Sequence, residues 1–146
     1  MPRGRAARIA KFAGIFFMVV LILSAVLGFL YPMVSRGEKA PASTPEIEEK
    51  LNAHKPFIIY FRYEKSLACS EQDRELLRAI YPDYAWKIDL VVIEYGNDTV
   101  KVFKDYGIQG VPSLVFVDKE GYIKYIFKTQ LVKADTIKKV LAQLVS

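Results

Sequence analysis

The chain contains a single cysteine, Cys69, and a single histidine, His54, among 146 residues. One cysteine excludes an internal disulfide, and with it any thiol cycle that closes within one molecule. His54 stands alone before Lys55-Pro56 and reads as a surface loop residue. No metal-ligand spacing accompanies it, so neither a metal nor another cofactor is expected. Acidic residues are missing from the N-terminal part: Arg3, Arg5, Arg8 and Lys11 all precede Glu38, the first acid. From Pro45 onward 15 basic and 15 acidic residues cancel, so the net +5 belongs to the N-terminal part. A nucleic-acid partner would require a basic patch on the folded part, and its composition provides none.

Charge is also missing from residues 12–35. The most apolar part, 12–31, is long enough as a helix to span about 30 Å, the thickness of a bilayer's hydrocarbon core. It ends in Gly28-Phe29-Leu30-Tyr31-Pro32-Met33, where a cleaved signal peptide would carry small residues. An uncleaved single-pass anchor over 12–31 is therefore expected. The basic segment 1–11 would stay in the cytoplasm and the rest would be periplasmic, extracellular or lumenal. Ser24 and Gly28 form a small-xxx-small pair suited to helix contact. Residues 32–44, small, polar and proline-containing, read as a linker, and 45–146 as the folded domain.

Within that domain, Thr44-Pro45-Glu46 starts a helix expected to run to about Ala53. Phe57–Phe61 is an apolar run suited to a strand buried on both faces. Ser70–Tyr81 carries Leu76, Leu77 and Ile80 at helical spacing and ends at Tyr81-Pro82. Ile88–Ile93 reads as a second buried strand. Asn97 or Asp98 would cap a helix reaching Tyr106, with Gly107 at its left-handed exit. Leu114–Val117 and Tyr122–Phe127 form a hairpin around Asp118-Lys119-Glu120-Gly121. Ile137, Val140, Leu141 and Leu144 mark a last amphipathic helix. Strands alternating with helices predict an α/β domain with a parallel crossover and one terminal antiparallel strand.

Tyr106-Gly107-Ile108-Gln109-Gly110-Val111-Pro112-Ser113-Leu114, in this order of elements, resembles the thioredoxin-like family over about residues 44–146. The resemblance implies a mixed four-stranded sheet flanked by helices. It also implies a cis peptide bond before Pro112 and a backbone around Val111 that pairs with an extended substrate segment. Counting from Phe61, Ser66 falls at the first position of the family's Cys-x-x-Cys motif and Cys69 at the second. Lys65 stands in place of a tryptophan, Leu67-Ala68 in place of Gly-Pro, and Tyr60 in place of a buried acid. A shifted register would make Cys69 the first position and Gln72 the second.

Ser66 cannot form a disulfide, and Cys69 alone cannot release a mixed one. The resemblance therefore implies a protein of thiol–disulfide redox biology with a degenerate Ser66-x-x-Cys69 site, whose partners are protein thiols or disulfides. The alternatives are a non-catalytic binding or assembly module that holds an extended segment of a partner, and an engineered cysteine-to-serine form of an active oxidoreductase. Burial of Cys69 separates them: a sulfur sealed in the core favours binding, and one open beside Pro112 favours redox chemistry.

Overall fold

Strand β1 (Phe57–Arg62) is central because neither of its faces carries a charge before Arg62. Phe57, Ile59 and Phe61 point into one core with Ile47, Val91, Ile93 and Phe103. Ile58 and Tyr60 point into a second core with Leu76, Phe116, Ile137 and Leu141. In this computed structural model the described residues are 11–24 and 37–146. Gly37–Ser146 forms one unit, and residues 11–24 (α1) belong to another.

The unit from Gly37 contains α2 (Pro45–Asn52), β1, α3 (Leu67–Ile80), β2 (Asp89–Glu94), α4 (Val100–Asp105), β3 (Ser113–Val117), β4 (Ile123–Phe127) and α5 (Ala134–Leu144). The sheet order is β2-β1-β3-β4. β1 pairs parallel with β2, with Phe57 opposite Asp89, and antiparallel with β3, with Phe61 opposite Ser113. β3 and β4 form the expected antiparallel hairpin. The expected α/β architecture with a mixed four-stranded sheet is thus present.

Several boundaries follow from local chemistry. Thr44 caps α2, its hydroxyl accepting from Ile47 N–H at 3.1 Å, and Pro45 opens the helix. Gly107 leaves α4 at φ +64°, a conformation that side chains disfavour. Asp118 shapes the hairpin turn: its Oδ1 accepts from Glu120 N–H at 3.0 Å and Tyr122 N–H at 2.9 Å. Both Tyr81-Pro82 and Val111-Pro112 are cis.

Three expectations are corrected. β2 is not buried on both faces: Leu90 and Val92 are partly exposed because β2 is a sheet edge and α3 covers only part of that face. Asn97 and Asp98 do not cap α4; they form a 3-10 turn, Asn97–Thr99, whose Gly96 start has no side-chain cap. α3 starts at Leu67, one turn before Ser70, because Ser66 caps it.

Residues 37–44, expected as linker, lie against the domain. Ala40 is buried, and its N–H donates to the Gly121 carbonyl at 2.8 Å. Ile123 N–H donates to the Glu38 carbonyl at 2.8 Å, and the Tyr106 hydroxyl donates to the Pro41 carbonyl at 2.6 Å. At Gly37 any Cβ would fall 2.0 Å from the Ile123 carbonyl oxygen, so only glycine allows this approach.

The anchor expected over 12–31 is described only to residue 24; its remainder, with Gly28, and the basic residues Arg3, Arg5 and Arg8 lie outside the described residues. Among the described residues no helix is long and apolar enough to cross a membrane.

Candidate functional site

The site is assembled where β1 ends, α3 begins and the segment before β3 arrives. Because Phe61 pairs with Ser113, the Val111-Pro112 segment lies beside the residues that leave β1 toward α3. Pro112 is buried and Val111 half-buried. The Ser113 hydroxyl holds the segment by donating to the Gly110 carbonyl at 2.8 Å while accepting from Thr129 N–H at 2.8 Å. The Pro112 carbonyl accepts from Gln130 N–H at 3.1 Å. The Val111 peptide N–H and C=O have no hydrogen-bond partner among the described residues.

Ser66 is the N-cap of α3. Its backbone is extended, and its Oγ accepts from Cys69 N–H at 3.3 Å. This links the two motif residues directly. Cys69 is fully buried, whereas Leu67 between them is 88% exposed. Helical geometry explains the contrast, because positions one and three of the first turn face opposite ways.

Tyr60, at the place of the family's buried acid, lies beneath this turn. Its phenol donates to the Cys69 carbonyl at 2.9 Å. Burial pushes the Tyr60 phenol well above its ordinary range, and the negative charge of Asp73 adds to the shift. The side chain is therefore a fixed donor rather than a proton relay. Arg62, two residues further along β1, bridges Asp73 and Glu94, each at 3.3 Å.

Gln72 would be the second motif position of the shifted register. It is fully buried, its Nε2 donating to the Val132 carbonyl at 2.9 Å and its Oε1 accepting from Val132 N–H at 2.7 Å. The shifted register, which needs an exposed Cys69, does not fit this packing.

A groove that sequence reading missed runs beside Val111. Tyr63, Tyr95, Val100, Phe103 and Ile108 line it. The Tyr63 and Tyr95 rings meet edge to face at 5.8 Å, and Tyr95 meets Phe103 at 5.6 Å. Their separation in sequence leaves no local signal for the cluster. No group of His, Cys, Asp and Glu that would hold a metal occurs among the described residues.

The fold and the placement of these residues define a thioredoxin-like protein architecture. No family model and no curated protein matches the sequence. Solved structures similar to this chain include a thioredoxin-like protein from Clostridium perfringens, 24% identical, covering 62% of this chain and 71% of that one at a TM-score of 0.53. A thioredoxin-family thiol:disulfide interchange protein from Chlorobium tepidum is 12% identical, covering 77% and 99% at a TM-score of 0.60. A disulphide isomerase from Xylella fastidiosa is 20% identical, covering 75% and 95% at a TM-score of 0.52. At these identities the likeness is one of fold.

Proposed function

We propose that this chain is a membrane-anchored, extracytoplasmic thioredoxin-fold protein that binds an extended segment of a partner protein without turning over disulfides. The observation that carries the reading is the state of the motif: Cys69 is sealed in the core and the Ser66 oxygen is committed to its amide. The unpaired Val111 peptide and the adjoining aromatic groove supply main-chain hydrogen bonds and apolar contact for such a segment. Anchoring through residues 12–31 is inferred from the uncharged run and its basic flank.

A second reading keeps the chain in thiol–disulfide chemistry as a single-thiol partner. It is favoured by the likeness to structures described as disulfide isomerase and thiol:disulfide interchange protein, and by Cys69 in the first turn of α3. When that turn opens, the Cys69 thiolate would attack a disulfide of the partner, forming a mixed disulfide and releasing the partner's other sulfur as a thiolate.

Alkylation of Cys69 in the folded chain separates the two: the sulfur stays unlabelled if the chain only binds and is labelled if it forms mixed disulfides, and an insulin reduction assay with a chemical reductant tests turnover. The native chain is expected to give no multiple turnover, because a mixed disulfide needs a second thiol to expel the product. Ser66→Cys supplies that thiol. Turnover by the native chain that Cys69→Ala abolishes would sink the binding reading. The anchor is tested separately by protease added outside intact cells, which is expected to digest the domain; protection until lysis would reverse the orientation.

A further inference from the structure

Trp86 is the only tryptophan in the chain and is 90% exposed. It lies in a shallow hollow with Lys55, Lys87, Lys119 and the apolar Leu144 and Val145; Pro56 and Ser146 complete the lining, which contains no Asp or Glu side chain. Asp89 takes up Lys55 at 2.8 Å. Lys87 and Lys119 are exposed and form no ion pair among the described residues.

The topology places this hollow at the end of the domain away from Ser66 and Cys69. Lys55 precedes β1 and Lys87 precedes the parallel β2, whereas the motif follows β1. Lys119 lies in the turn after β3, a strand that begins next to Pro112. The chain joins the domain at this same end, since residues 38–40 bond to Gly121 and Ile123. Gly37 is the first residue of the domain after the run 12–31 read as an anchor, so under that reading the chain enters the domain at this end from the membrane side.

We propose that this end is a bilayer-facing surface, with Trp86 seated among the lipid headgroups and Lys87 and Lys119 on anionic phosphates. Tryptophan, with an apolar body and a polar N–H, suits that boundary, and lysines add attraction to anionic lipid. The site around Val111 and Pro112 then faces away from the membrane, open to a partner. The inference rests on the anchor reading above.

The test uses the full chain reconstituted in vesicles of phosphatidylcholine alone or mixed with phosphatidylglycerol. Flotation first reports whether the chain is membrane-bound. In the mixed vesicles Trp86 emission is expected to shift to the blue, to be quenched by lipids brominated in the acyl chain, and to show several-fold less quenching by aqueous acrylamide. The double substitution Lys87→Glu and Lys119→Glu is expected to return the emission to its water-like position with the circular dichroism of the fold unchanged. A chain that floats while Trp86 stays water-like and fully quenched by acrylamide in both vesicles overturns the surface alone. A chain that does not float overturns the anchor and the surface together.

Discussion

The Tyr60 phenol donates a 2.9 Å hydrogen bond to the Cys69 carbonyl, fastening the central strand to the first turn of α3. With Ser66 Oγ on the Cys69 amide, that residue is held by its backbone from both sides. Its sulfur is thus buried by a turn that is itself braced.

Because burial, reinforced by Asp73, raises the Tyr60 phenol, the folded state keeps a proton that the unfolded chain loses near pH 10. The Tyr60 contribution to stability is fully present below about pH 10 and falls as pH rises above it. Tyr60→Phe is expected to cost about 1 kcal/mol at neutral pH through the lost hydrogen bond and to flatten part of this alkaline decline. Urea midpoints measured from pH 8 upward for both proteins check it; an unchanged alkaline slope would contradict it.

Ser66→Ala removes the α3 cap and is expected to cost about 1 kcal/mol. Ser66→Asp, which retains a capping oxygen, is expected to restore most of the loss. Thermal denaturation of the three proteins decides the point. Equal stability of the alanine and serine forms would show that the cap is unimportant.

Gln72→Leu leaves both Val132 peptide groups without their buried partner. Each unsatisfied group costs about 1–3 kcal/mol, so the substitution is expected to destabilise more than Tyr60→Phe, Ser66→Ala or Asp89→Asn. Gln72→Glu also fails to restore stability, since a carboxylate cannot donate to the Val132 carbonyl. Chemical denaturation gives the ranking, and a Gln72→Leu protein as stable as the native chain would remove the pairing from the account.

Asp89 is held below the ordinary carboxylate range, first by the hydrogen bond from Lys55 and then by the charges of Lys55 and Lys50. Its contribution is present above about pH 4 and is lost as pH falls through the lower folded value. The pair is partly exposed, so Asp89→Asn is expected to cost less than about 1 kcal/mol at neutral pH. Acid unfolding curves should lose part of their pH dependence in this variant, most visibly at low salt.

The parts of the fold legible in sequence are those determined locally. Phe57–Phe61 announces a strand packed on both sides because every residue there is apolar. Gly107 and the Asp118–Gly121 turn have conformations that their own residue types favour. Illegible were features that distant residues decide. Leu90-Val91-Val92-Ile93 has the composition of an interior strand, and only the sheet order makes it an edge. Gln72 reads as an ordinary polar helix residue, yet it closes on Val132 some 60 positions away. At the site, spacing placed Ser66 and Cys69 together, but the serine's role as cap and the groove of Tyr63, Tyr95 and Phe103 emerge only with the fold.

The bonds from residues 38–40 to Gly121 and Ile123 also have a mechanical meaning. Tension applied to the chain from its N-terminal side reaches the sheet at the β3–β4 hairpin, where those few bonds carry the load one after another. The turn that holds Ser66 and Cys69 lies at the far end of β1, away from that point of entry.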